Sequence, residues 1–288
     1  MKRANLFMVP AVLAGLVVHA ACSDETFATA VDASTTIDAP GPQVDASLSD
    51  ASADVVADAG VEAGRFCEGL TPPAAFCADF DEGDPATFGW TTRYAKPDAV
   101  GALVVDQNAS SSAPASLFVT NLVGDTDKYA QAWLARNVSA PPTATRITFD
   151  YDVFLDDVAK ASFVKLSFIR FTDVLRSGDY GIYLVASPGA FTLEERMPPT
   201  DGGPANVTTS GTRYIQSKRW THVAMTFDLK PMVTVKVDLD GQPAIAEKAL
   251  TPGYMRALAN VFVGNVIASN VTGPIAVRFD NVVVRVAP

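Results

Sequence analysis

From Thr221 to Leu239 apolar residues recur at every second position. Thr221, Val223, Met225, Phe227 and Leu229 form one series, and beyond Lys230-Pro231 the series resumes at Val233, Val235, Val237 and Leu239. His222, Thr226, Lys236 and Asp238 occupy the alternate positions, so the pattern predicts the two arms of a hairpin with one buried face. Asp240-Gly241 then predicts a left-handed turn into a further strand. Strand-like runs precede and follow this hairpin: 76–81, 116–121, 131–138, 146–155, 163–171, 180–186 and 191–197, then 260–266 and 275–286. Pro141-Pro142, Ser187-Pro188-Gly189 and the stretch 198–203 punctuate them as turns. No three-turn helical stripe interrupts the series. Residues 65–288 are therefore expected to form one all-β domain, a two-sheet antiparallel β-sandwich of the jelly-roll type.

The first 64 residues read differently. Lys2 and Arg3 followed by the apolar stretch 6–18 predict an export signal over residues 1–21, too short to span a bilayer as a stable helix. Cys22 after Ala20-Ala21 resembles the lipidation site of a bacterial lipoprotein, although His19 stands where such sites usually carry an aliphatic residue. Residues 22–64 are an Asp/Ala/Ser-rich tether with VDAS at both 31–34 and 44–47, and with no aromatic residue after Phe27. Such a segment buries too little apolar surface to offset its ordering entropy and is expected to be disordered. It also accounts for most of the net charge of −10: without its nine acids, and without Lys2 and Arg3, 20 basic and 23 acidic residues remain. A folded part at −3 argues against a nucleic-acid-binding face. With Cys22 assigned to the lipid, Cys67 and Cys77 are the remaining pair, expected as a disulfide in an oxidising compartment.

Two motifs in the β-rich region carry a resemblance. Trp220-Thr221-His222-Val223-Ala224, leading through a hairpin to Asp240-Gly241, and the terminal Phe279-Asp280-Asn281-Val282 are similar to the laminin-G-like or concanavalin A-like jelly rolls. In that class the first and last strands are neighbours, and an aspartate in the F-D-N-V position often joins the N-terminal strand through structural calcium. The resemblance thus implies Ca2+ with Asp280 as one ligand and Asp81 or Glu82 on the other side.

Catalytic chemistry finds little support in the sequence. His222 is the one histidine after the signal, and no Gly-x-Ser-x-Gly elbow accompanies it. The Glu-x-Asp-x-Glu pattern of sandwich-fold glycoside hydrolases is absent, as is the Gln-x-His element of lyases with this fold. Glu194 and Glu195 are adjacent and so face opposite ways in a strand, while Asp150 and Asp152 share a face. Carbohydrate binding needs aromatic platforms beside directional polar groups, and Trp133, Arg136, Arg170, Tyr183 and Tyr214 are the expected ligand-binding set. Trp90 and Trp220 are expected in the core or at an edge. The sequence therefore predicts a monomeric, exported, lipid-anchored surface protein of a bacterium that binds a carbohydrate without catalysis. A polysaccharide hydrolase or lyase of the same fold, or an adhesive module for a surface protein, are the alternatives.

Overall fold

In this computed structural model the structure describes residues 66–81, 83, 89–95, 101–121, 129–141, 143–159, 161–172, 179–197, 206–251, 258–269 and 271–288. Cys22, the signal and the tether lie outside them, as does Glu82. A short 3-10 turn, Phe66–Gly69, leads into the strands β1 (Phe76–Ala78), β2 (Thr92–Ala95), β3 (Gly101–Asp106), β4 (Ser116–Asn121) and β5 (Tyr129–Asn137). There follow β6 (Arg146–Asp157), β7 (Phe163–Thr172), β8 (Asp179–Ser187), β9 (Ala190–Arg196) and β10 (Asn206–Ser210). The series closes with β11 (Trp220–Asp228), β12 (Thr234–Leu239), β13 (Gln242–Ala249), β14 (Leu258–Ser269) and β15 (Ile275–Ala287).

These strands form two antiparallel sheets. Sheet A has the order β13-β12-β11-β6-β15-β4-β3, with β1 also pairing β15, and sheet B has the order β10-β9-β8-β7-β14-β5-β2. The result is the two-sheet jelly-roll sandwich that the alternation predicts, of the concanavalin A-like kind that the two motifs resemble. Period-two burial explains why the sheets stack: Ile147, Phe149, Tyr151, Val153 and Leu155 of β6 and Val223, Met225 and Phe227 of β11 all point inward and are buried. Sheet B answers with Leu134, Ile169, Phe171, Tyr180, Ile182, Leu184 and Val261, all within the same core cluster. Each such side chain contributes about 1.5–3 kcal/mol on leaving water.

The turn at Asp240-Gly241 has positive φ at both residues, 49° and 71°, and Leu239 pairs directly with Gln242. This is the primed geometry whose twist matches the flanking strands. Cys67 and Cys77 are disulfide-bonded, and Trp90 is buried against Phe76 and Phe80. Trp220 packs on Phe154, with ring centroids 5.5 Å apart. β1 lies beside β15, so the expected adjacency of the first and last strands holds.

Candidate functional site

The side chains that alternate away from the core give each sheet an outer face, and the two faces differ in chemistry. On sheet B the outward positions in register are Thr208, Glu194, Tyr183, Phe168, Phe262 and Ala135 across β10, β9, β8, β7, β14 and β5. Trp133, two residues before Ala135, shares its face and pairs with Tyr94 on β2. The rings touch in sequence. Tyr94 stacks on Trp133 at 5.1 Å, Trp133 meets Phe262 edge-on at 5.0 Å, Phe262 meets Phe168 at 5.0 Å, and Phe168 stacks on Tyr183 at 4.2 Å. These residues form an aromatic ridge crossing five strands, distinct from the inter-sheet core.

Two residues further along each strand runs a second, polar row on the same face: Asn137, Asn260, Arg170, Gly181, Arg196 and Asn206. Successive same-face positions lie about 7 Å apart along a strand, so the guanidinium groups flank the ridge. Arg196 Nη1 is 3.4 Å from Tyr183 Oη. Lys165 Nζ sits 4.2 Å from the centre of the Tyr183 ring and donates to Glu194 Oε1 at 2.8 Å. Lys165 and Glu194 thus offset each other on the face that also carries Arg170 and Arg196. Gly181 is required where it stands, because a Cβ there would lie 1.9 Å from the Phe168 ring. Gly264, at φ 128°, allows the same close approach beside Trp133.

Sheet A's outer face carries a carboxylate network instead. His222 Nδ1 lies 2.7 Å from Asp152 Oδ1, while Ser111 Oγ and Asn281 Nδ2 donate to Asp152 Oδ2 at 2.6 and 2.8 Å. Asp280, wholly buried, accepts from the backbone N–H groups of Ser111, Ser112 and Asn281. Asp81 Oδ1 accepts from Ala115 N at 3.0 Å, and Arg285 pairs with Asp150 at 2.8 Å. Burial would raise Asp152, but its hydrogen bonds from His222, Ser111 and Asn281 outweigh that and hold it below the usual carboxylate value. His222 is raised, chiefly by the Asp152 hydrogen bond. Asp280 is pushed up by burial to about 7 against its backbone donors, with the neighbouring Asp152 charge adding to the rise.

The geometry brings some of the expected residues together and separates others. Trp133, Arg170 and Tyr183 do share one face. Arg136 does not: it alternates with Trp133, lies 5.3 Å from the centre of the Phe76 ring and donates to the Gly89 carbonyl. Tyr214 lies apart, in the segment between β10 and β11. Phe168, Phe262 and Tyr94 were not singled out by the sequence, although they complete the ridge. Of the implied calcium ligands, Asp280 accepts from three backbone N–H groups and Asp81 from Ala115 N, while Glu82 lies outside the described residues. Among the described residues no group of three His, Cys, Asp or Glu is arranged to hold a metal. Asp280 and Asp81 are instead linked through the loop 107–115, which both carboxylates grip. Glu194 and Glu195 do face opposite ways, Glu195 being buried against Lys248 and Tyr180.

No protein-family model matches the chain, and no curated protein matches it. Solved structures do. An endo-β-1,4-glucuronan lyase from the fungus Trichoderma reesei is similar with a TM-score of 0.58 at 12% identity, over 74% of this chain and 96% of the lyase. The cellulose-induced protein Cip1 is similar with a TM-score of 0.50 at 13% identity, over 73% of this chain and 96% of its own. A family 7 alginate lyase gives 0.47 at 10% identity, over 63% of this chain and 84% of its own. At such identities the likeness establishes the jelly-roll sandwich.

Proposed function

We propose that the protein acts on an acidic polysaccharide laid across the outer face of sheet B and cleaves it by β-elimination. The observation that carries this reading is the aromatic ridge Tyr94–Trp133–Phe262–Phe168–Tyr183 flanked by Arg170 and Arg196, with Tyr183 Oη 3.4 Å from Arg196. Rings bind the C–H faces of pyranoses, and guanidinium groups match carboxylates. Elimination breaks the C5–H bond and the C4–O glycosidic bond and forms a C4–C5 double bond. In this reading a Tyr183 phenolate takes the C5 proton, and the phenol so formed returns it to the departing oxygen. Arg196, exposed beside the phenol, neutralises the uronate carboxylate, which stabilises the charge that develops beside it. The similarly folded glucuronan lyase supports the same substrate class.

Binding without cleavage is the second reading. It is favoured by the 3% exposure of Tyr183 and by the position of His222, which lies on the other sheet. One assay separates the two: incubation with polyglucuronate, alginate and a neutral glucan, following ultraviolet absorbance of unsaturated chain ends alongside binding. Absorbance that rises with an acidic polymer alone supports elimination. Binding with flat absorbance selects the second reading, and no binding to either acidic polymer overturns both. The proposal also keeps the protein exported and lipid-anchored through Cys22, supported by the charged start and the apolar stretch before that cysteine. Cys22→Ala should release it from membranes, and unchanged retention would remove the anchor.

A further inference from the structure

Away from the ridge, the segment 211–219 straps the edge of sheet B to the edge of sheet A. It is held firmly. Gly211 N donates to Phe191 O at 2.7 Å, Thr212 N to Ala244 O at 2.8 Å and Lys218 N to Leu155 O at 2.9 Å, while Ile215 is buried beneath it. Between this strap, the start of β11 and the Leu239-Asp240 corner lies a cleft of about 230 Å3, smaller than a drug-sized pocket and matched to a single sugar ring. Tyr214 stands at its wall with 54% of its surface exposed. Gln216, Arg213, Arg219 and Asp240 supply its polar groups.

The charges there are not all matched internally. Arg219 Nη2 pairs with Asp240 Oδ2 at 3.0 Å. Arg213 Nε donates to the Pro243 carbonyl at 3.0 Å, which fixes the guanidinium plane, and its terminal nitrogens have no carboxylate partner among the described residues. Among the described residues the Gln216 amide and the Tyr214 hydroxyl likewise have no hydrogen-bonding partner. An exposed ring, a pre-set guanidinium and an uncommitted amide on a rigid strap are the elements that recognise a charged pyranose with little ordering cost.

We propose that this cleft is a second carbohydrate site, taking one carboxylated sugar residue with its ring on Tyr214 and its carboxylate on Arg213. The inference shares its ligand class with the proposed function but rests on separate residues. Strap and ridge would then hold separate parts of one polymer, or two polymers, on the same molecule.

The test is calorimetric titration of the full chain with a glucuronate oligosaccharide, with its neutral glucose counterpart as control. Wild-type protein is expected to bind two acidic oligosaccharides and to bind the neutral one at least tenfold more weakly at the strap. Tyr214→Ala and Arg213→Gln, both exposed, should each weaken one site about tenfold and leave the other intact. Trp133→Ala should do the converse. A single site that survives Tyr214→Ala and Arg213→Gln but is weakened by Trp133→Ala overturns this inference and leaves the ridge standing. A single site with the opposite response sustains the strap and overturns the ridge. Equal binding of the neutral sugar at the strap removes the assigned role of Arg213, and with it the proposal.

Discussion

The outer faces of sheets A and B follow the same alternation, yet their polar groups have opposite fates. On sheet A, Asp152 receives His222, Ser111 and Asn281, Asp280 receives three backbone N–H groups, and Asp150 receives Arg285. The hydrogen-bonding capacity is directed inward, to hold the loop 107–115 on the sheet. On sheet B, Arg196 is exposed beside a phenol, and the neighbouring surface is aromatic. A histidine between aspartates has the composition of a catalytic site, and here it is an anchor. What identifies a site is whether donors and acceptors remain directed outward, not which residue types gather.

The largest test of this contrast is pH. Asp280 has a folded-state pKa of about 7, above the ordinary aspartate value of 3.8. Its contribution favours folding fully below the unfolded value and is lost as pH rises through about 7, a change of at most about 4 kcal/mol. His222 is also raised, so its contribution is likewise lost with rising pH, above its ordinary value. Denaturant melts at pH 5 and pH 8 should show lower stability at pH 8, and Asp280→Asn should flatten that difference. An unchanged slope in the variant would mean that Asp280 does not titrate in this window. On the other face, Tyr183→Phe should lower cleavage about 100-fold or more while leaving polymer affinity nearly intact. Equal loss of both would make the hydroxyl a binding group.

Gly181→Ala comes next. The Phe168 ring that a Cβ would meet at 1.9 Å is stacked on Tyr183 and packed against Phe262, so it cannot swing aside freely. A loss of about 1–3 kcal/mol in thermal or denaturant unfolding is expected, together with weaker binding. Trp133→Ala should weaken binding about tenfold with little change in stability. His222→Ala, by contrast, should leave cleavage and binding unchanged, and a loss of either would return function to sheet A.

Much of the architecture was legible because the core strands alternate cleanly. β4 was read with its observed ends, and the β11–β12 hairpin, the Asp240-Gly241 turn and the Cys67–Cys77 bridge were all readable from sequence. β2 and β10 were not, since TRYA and NVTTS are short, edge-placed and largely solvated, with no apolar series to announce them. β3 is an edge strand too, and its continuous apolar run in GALVVD gives no alternation. The candidate site was half legible. Trp133, Arg170 and Tyr183 were found, but the ridge needs Phe168 and Phe262, whose facing depends on phase. Register shifts at Lys165/Ser167 and Val263/Ile267 reset that phase within β7 and β14, so simple alternation loses count there. Arg136 falls off the ridge for a different reason, plain alternation: it shares a face with Ala132 and Leu134, which lie in the core. Tyr214 lies outside any strand, where periodicity says nothing.

β15 is the last strand in sequence, yet it lies between β6 and β4 near the middle of sheet A and also carries β1 along part of its length. Its partners are all far from it in sequence. Until it is in place, β6 and β4 have no shared neighbour and the two halves of the sheet cannot join. Strands β1 to β14 are therefore all synthesised before this sheet can close, and its closure waits for β15. The same placement predicts that loss of a dozen residues from this end disrupts the centre of the sheet and not its fringe.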